Sequence, residues 1–274
     1  MSPDPPAPAA WALDIWTACQ EIEAPSIGAA AKALRGMQRN WSLYSAAHHR
    51  RAALIAGALP PVSAKPLLFP APAPTAPLGA FTLLEPGRLL ASPAKTSPMP
   101  NGEWRFVEDR TGPPSRAYLK LWEALTRLGR YPAPGERCLD LGAAPGGWTW
   151  ALAGLGAQVV AVDKAPLDPQ VAAMPGVEVR RESAFGLDPA QERAAWLLSD
   201  VICYPARLLA LLRRWIAAGT VANILCSVKF QGATDHAAAE AFAAIPGAVL
   251  FHGSHNKHEL TFAWRGAGQP AGQV

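Results

Sequence analysis

The sequence predicts an α/β protein. It should contain a doubly wound, mainly parallel sheet ending in a C-terminal antiparallel hairpin, preceded by a small N-terminal region. Two observations carry this reading. From about residue 113, short apolar runs alternate with stretches of helical spacing, and the runs are nearly unbroken, as strands buried on both faces require. The last two runs are instead joined by a polar loop, the pattern of an antiparallel pair.

The strands are expected at Arg137–Leu141, Gln158–Asp163, Val177–Arg180, Trp196–Asp200 and Val221–Lys229, with the hairpin at Ala248–His252 and Leu260–Trp264. Ahead of them, Tyr118, Leu121, Trp122, Leu125 and Leu128 recur at helical spacing, and Ser115 is placed to cap that helix. The domain expected from these elements covers residues 113–265, with a tail at 266–274. In front of it lie a Pro/Ala-rich tail, 1–10, expected to be disordered, and an N-terminal region, 11–112. Within that region residues 11–59 read as helical, with Ser26 as a cap and Lys32, Arg35 and Arg39 sharing one face. Residues 60–79 hold seven prolines and cannot form a regular helix, so they read as a linker or a wrapping segment. Two short strands are expected at Ala80–Leu84 and Arg88–Ala91.

Composition narrows the function classes. The chain has 274 residues, is half hydrophobic, carries a net charge of +4 and has a pI near 9.0. That balance permits a nucleic-acid partner without requiring one. No acid occurs between Glu23 and Glu85, whereas Lys32, Arg35, Arg39, Arg50, Arg51 and Lys65 do, interleaved with Trp41, Tyr44, His48 and His49. Such a stretch suits contact with RNA phosphates and bases, or an ordinary solvated pair of helices. The four cysteines lack metal-site or redox-motif spacing, and no apolar run reaches membrane-spanning length, so a reduced, cytoplasmic chain is the default expectation.

The strongest motif runs from Leu139 to Thr149. A strand ends in Asp140-Leu141, a turn of small residues follows (Gly142, Ala143, Ala144, Pro145, Gly146, Gly147), and a helix opens at Trp148. Small residues let a ligand approach the backbone, and the helix start is electropositive. Asp163 ends the next strand, where a carboxylate can take the two ribose hydroxyls of an adenosine ligand. The loop departs from the dinucleotide fingerprint: Ala144 stands where the second glycine would be, and Pro145 stiffens the turn, which disfavours an NAD-dependent dehydrogenase.

Three more polar residues sit at strand ends, where a doubly wound sheet places its chemistry: Asp200, Lys229 and Glu259. Lys120 lies on the helix before the first strand. Each has a plain alternative. Lys120 could be solvated beside Glu123 and Arg127, Asp200 could cap a helix, Lys229 could snorkel, and Glu259 could pair with Lys257. His252, His255, His258 and Glu259 also invite a metal site, but the intervening Gly253, Ser254 and Asn256 disfavour one helix face there, and no metal is expected.

The loop wording LDLGAAPGGWT resembles the first motif of the FtsJ-like methyltransferases, and Lys120, Asp200, Lys229 and Glu259 resemble their Lys-Asp-Lys-Glu tetrad. The resemblance covers residues 97–265, includes Ser97-Pro98 and the run from Pro114 to Leu121, and is closest to the RlmM type. It implies a Rossmann-like methyltransferase sheet and S-adenosyl-L-methionine as cofactor, held by Asp140, the Gly142–Trp148 loop, Asp163 and Asp200. It further implies 2′-O-methylation of a ribose, a cytidine of 23S-type ribosomal RNA before full ribosome assembly. A sulfonium methyl is already electrophilic, so the difficulty is the hydroxyl proton. Lys229 would remove it, oriented by Asp200, while Lys120 stabilises the oxyanion and Glu259 holds a lysine. RlmM-type proteins carry a larger N-terminal region of the THUMP kind, whereas about 110 residues precede the tetrad region here. Alternatives are another RNA, a small-molecule methyl acceptor, which would not need two lysines and two acids, or an inactive RNA-binding module, which would be expected to have lost Lys229 or Asp200.

Overall fold

A computed structural model of the chain describes residues 9–266. The expected terminal tails lie outside the described residues, apart from Ala9, Ala10 and Gly266. The fold divides into two compact units: the described residues up to Leu68 with Pro72–Phe106, and Phe69–Ala71 with the described residues from Val107 onward.

The first unit is a sheet covered on one face by two helices. Its elements are β1 (Gln20–Glu23), α1 (Ile27–Met37), β2 (Trp41–Leu43), α2 (His49–Gly57), β3 (Gly79–Glu85) and β4 (Arg88–Ser92), with sheet order β1-β4-β3-β2. Ser26 caps α1, its Oγ accepting the Ala29 N–H at 3.1 Å. Leu34 and Ile55 of the helices pack on Phe81 and Leu89 of the sheet, forming this unit's core. The all-helical reading of 11–59 is therefore corrected. Residues 20–23 and 41–43 are strands too short for their period to show, and they pair with β4 and β3. Arg39 also falls outside the helix face assigned to it, because α1 ends at Met37. The Pro-rich segment adds no helix or named strand before Gly79.

The second unit is built on a seven-stranded sheet among the described residues. Its strands are β5 (Arg137–Leu141), β6 (Gln158–Val162), β7 (Val177–Arg180), β8 (Ala194–Ser199), β9 (Val221–Lys229), β10 (Ala248–Phe251) and β11 (Glu259–Arg265). The order is β10-β11-β9-β8-β5-β6-β7; β5 to β9 run parallel, while β11 is antiparallel to both β9 and β10. Helices α3 (Tyr118–Leu128), α4 (Gly147–Gly154), α5 (Pro169–Ala172), α6 (Pro205–Ala218) and α7 (His236–Ala243) connect and cover it. The order in which the chain adds strands reverses between β5 and β8. Connections leading to opposite sides of that point leave a crevice at the carboxyl ends of these two strands. Ser115 is not the cap of α3, which starts after Ala117 without a side-chain cap. Its Oγ instead lies where a Cβ on Gly147 would come within 2.6 Å, so Gly147 lets α4 approach the segment before α3.

Candidate active site

The crevice is lined first by the loop after β5. Gly142 has φ +76°, and a Cβ there would meet the Val201 Cβ at 2.6 Å, so glycine is needed twice over: for its conformation and for the close approach of the loop after β8. Asp163, just beyond β6, accepts the Ala144 N–H at 3.0 Å with one carboxylate oxygen and the Ala165 N–H at 2.9 Å with the other. A carboxylate has about four acceptor sites, so capacity remains for ribose hydroxyls. Gly146 and Gly147 open α4, whose first-turn backbone N–H groups have no partners within the helix.

Two residues assigned to the cofactor loop prove to be internal supports. Asp140 is 1% exposed and accepts the Thr149 hydroxyl at 2.7 Å. Burial pushes its carboxyl up to about 7; the Thr149 hydrogen bond opposes this, and the nearby Asp200 and Asp163 charges add to it. The Trp148 side chain is buried too, its indole N–H donating to the Ala117 carbonyl at 2.9 Å, so Trp148 serves the loop through its backbone.

Beside the loop, the structure brings the four charged residues into one cluster. Lys120 Nζ lies 2.7 Å from Asp200 Oδ1 and 3.1 Å from Glu259 Oε1. Lys229 Nζ lies 3.2 Å from Asp200 Oδ1 and also donates to the Asp200 carbonyl. All four side chains are at most 18% exposed, and their formal charges cancel. The plain alternatives do not describe these residues. Lys120 is not a solvated lysine, Asp200 does not cap α6, whose cap position is Tyr204, and Glu259 faces Lys120 rather than Lys257. Lys120 contacts two carboxylates, whereas Lys229 contacts one.

The sequence gives little sign of what delivers Glu259. Glu123, one turn beyond Lys120 on α3, is 1% exposed. It accepts the Ser254 N–H at 2.9 Å, the His255 N–H at 3.1 Å and the His255 ring Nδ1 at 2.8 Å. Burial pushes this carboxyl up, but the His255 and Ser254 hydrogen bonds and the His255 and Arg127 charges hold it below the usual range. Arg127 donates to the His252 carbonyl at 3.0 Å. The polar face of α3 therefore binds the 252–258 loop, and that loop ends at Glu259. The three histidines diverge: His252 bonds the Glu259 carbonyl, His255 bonds Glu123 and His258 bonds Thr234. Among the described residues, no group of three His, Cys, Asp or Glu side chains could hold a metal ion.

Two further residues escaped the sequence reading. Ile202 and Tyr204 follow Asp200 and are 78% and 66% exposed, while Cys203 between them is buried. The alternation signals an extended segment with its apolar side turned outward beside the cluster. In the first unit, the basic stretch is only partly a free surface. Trp41 is buried, with its indole N–H bonded to Leu34 and Gln38 carbonyls, and Arg35 and Arg51 donate to the carbonyls of Ala58 and Pro25. No described helix is long and apolar enough to cross a membrane.

The parallel sheet with its reversal of strand order at β5 and β8, the glycine loop and the charged cluster define a doubly wound α/β domain with a charged crevice at its strand ends. Residues 113–233 match the family model of the FtsJ-like methyltransferases. Three relatives to which the chain is similar carry the name "Ribosomal RNA large subunit methyltransferase M". The protein from Halorhodospira halophila is 46% identical over 120 residues, covering 43% of this chain and 35% of that protein. The one from Alkalilimnicola ehrlichii is 40% identical over 146 residues, covering 51% and 40%. That from Azotobacter vinelandii is 34% identical over 156 residues, covering 54% and 43%. The chain thus spans well under half the length of these relatives. Among solved structures, a ribosomal RNA methyltransferase from Plasmodium falciparum aligns at 15% identity with a TM-score of 0.41, over 56% of this chain and 97% of that one.

Proposed function

We propose that this chain transfers a methyl group from S-adenosyl-L-methionine to a ribose 2′-hydroxyl of RNA, a cytidine of large-subunit ribosomal RNA of the 23S type before full assembly. The observation that carries the reading is the self-neutral Lys120–Asp200–Lys229–Glu259 cluster, joined at 2.7–3.2 Å beside the Gly142 loop. The cofactor supplies an electrophilic sulfonium methyl. Asp163 would hold its ribose, the backbone of Gly142, Ala143 and Ala144 would approach it closely, and Pro145, Gly146 and Gly147 would set the turn.

The protein has to activate a poor nucleophile. Lys229, with one carboxylate contact, first releases its own proton to solvent and then, as the free amine, accepts the hydroxyl proton; Asp200 aligns it through both a carboxylate oxygen and the main-chain carbonyl. Lys120, fixed between Asp200 and Glu259, stabilises the oxygen as negative charge develops. Ile202 and Tyr204 offer an apolar seat for the base carried by that ribose. The test incubates the chain with labelled cofactor and ribosomal RNA from cells lacking it, then applies alkaline hydrolysis, which spares 2′-O-methylated linkages. One alkali-resistant labelled position is expected, and Tyr204→Ala should raise the KM for RNA. Label on a base, or none on RNA, overturns the assignment.

A further inference from the structure

The first unit contains a cavity of about 610 Å³ that the methyl-transfer chemistry does not use. It lies on the sheet face opposite the helices. Thr82 on β3 stands opposite Leu90 on β4, and both line it, whereas their neighbours Phe81, Leu83, Leu89 and Ala91 pack toward α1 and α2. Trp16 and Tyr44 form its aromatic wall, with ring centroids 6.5 Å apart and planes at 89°. Tyr44 is 55% exposed although its backbone N–H is fixed to the Phe81 carbonyl at 2.9 Å.

Two polar groups in this lining have no hydrogen-bond partner in the protein. Thr82 is 8% exposed with its Oγ1 unpartnered, and the Oδ1 of Asn101 is likewise buried and unpartnered. Leaving such groups unsatisfied costs stability, so both are set up for an incoming donor or acceptor. The nearby charges, by contrast, are spent on one another. Lys95 donates to Asp14 at 2.8 Å and to the Ser97 and Met99 carbonyls, while Asp14 also accepts the Ser97 N–H at 2.9 Å. These bonds clamp the 13–16 segment to the 95–99 loop and keep the wall in place, without offering a free charge to an anion.

A cavity of this size with two aromatic rings, an apolar floor, two orphaned neutral polar groups and no free charge fits a neutral, planar, hydrogen-bonding ligand. We infer that it receives one nucleobase of the RNA substrate, stacked on Tyr44 or Trp16, with an exocyclic amine donating to Asn101 Oδ1 and Thr82 Oγ1 completing the contact. This rests on RNA being the substrate and adds a base-reading site away from the methyl-accepting ribose. Adenine and cytosine carry such an amine on their pairing edge; uracil does not.

The test measures fluorescence anisotropy of labelled ten-nucleotide rA, rC and rU binding to the full chain, alongside methyl transfer to ribosomal RNA. The amine-bearing oligomers should bind about tenfold or more tightly than rU. Asn101→Gly, which tolerates the positive φ of this position, should abolish that preference. Tyr44→Ala should weaken all three oligomers by about five- to a hundredfold. Thr82→Val is the sharpest variant: it should lower the base preference and yet raise the melting temperature, because it removes an unsatisfied hydroxyl at constant shape. Equal binding of the three oligomers by the native chain, or an unaltered preference in both Asn101→Gly and Thr82→Val, overturns the inference. Ribose methylation without base preference removes only the cavity's role. Base preference without ribose methylation leaves the cavity standing and removes the proposed reaction.

Discussion

The two sheets handle polar side chains in opposite ways. The C-terminal unit gathers Asp200, Lys229 and Glu259 from its strand ends and Lys120 from α3, and each finds an opposite charge within about 3.2 Å. The N-terminal unit keeps a buried ion pair, Lys95–Asp14, beside its cavity and leaves neutral groups on Thr82 and Asn101 without protein partners. Mutually satisfied charges are held in place to stabilise charge that develops in a transition state. Orphaned neutral groups gain only when a ligand arrives. On the proposed reading one unit is arranged for reaction and the other for recognition, and the variants below separate the two.

The largest effect is expected at Lys229. Lys229→Ala should lower single-turnover methyl transfer by about 10²- to 10⁴-fold while cofactor binding stays near native, since the amine acts in the transition state. Lys229→Arg should not restore the rate, because a guanidinium keeps its proton. A near-native rate for Lys229→Arg would make Lys229 an electrostatic partner like Lys120 and place the base elsewhere. Both variants should bind the oligomers as the native chain does; parallel loss of binding and rate would break the separation between the units.

Much of the C-terminal arrangement can be read in the sequence for a physical reason. Strands such as Val221–Lys229 are buried on both faces, so their apolar runs mark their ends closely, and the reactive residues fall just at or beyond those ends. Pairing of charges is harder to read. Glu259 stands opposite Lys229 in the β9–β11 register, yet its carboxylate turns to Lys120, because Glu123 and Arg127 draw the preceding loop onto α3. The same polar helix face that looks solvated in sequence is therefore the face that assembles the cluster. The N-terminal sheet is still less legible: β1 and β2 are four and three residues long, and a period of two cannot be recognised over so few positions. The unpartnered state of Thr82 and Asn101 is a property of packing alone.

A smaller effect is expected at Asp163, which should matter to the cofactor and not to the oligomers. Asp163→Ala removes both the proposed ribose contact and the acceptor for the Ala144 N–H. Calorimetry with S-adenosyl-L-homocysteine should show affinity reduced by about ten- to a hundredfold. Asp163→Asn retains one acceptor oxygen and should fall between the two, which distinguishes support of the loop from contact with the ribose. Native affinity in the alanine variant would leave Asp163 as a loop brace only.

The smallest effect concerns stability and tests the buried carboxyl beneath the loop. Asp140 has its pKa raised by burial from 3.8 to about 7, with Thr149 its hydrogen-bond partner and Asp200 and Asp163 the nearby like charges. A carboxyl whose folded-state pKa lies above its unfolded value binds more protons when folded. Its contribution to stability is therefore complete below about pH 4 and is lost as pH rises through about 7. Asp140→Asn keeps a neutral acceptor for the Thr149 hydroxyl and removes the ionisation. Between pH 5 and pH 8 the native chain should lose more of its melting temperature than the variant does, by a few degrees, about 2–4 °C for each kcal/mol. The difference has a fixed sign: the two melt closest together below about pH 4, and the variant's advantage grows as pH rises to about 7 and is full at pH 8. Parallel pH profiles would mean that Asp140 is ionised at both pH values, its charge accommodated by the loop backbone above it. The Lys95–Asp14 pair of the other unit is common to both proteins and cancels from the difference, so the measurement reports on the reactive unit alone.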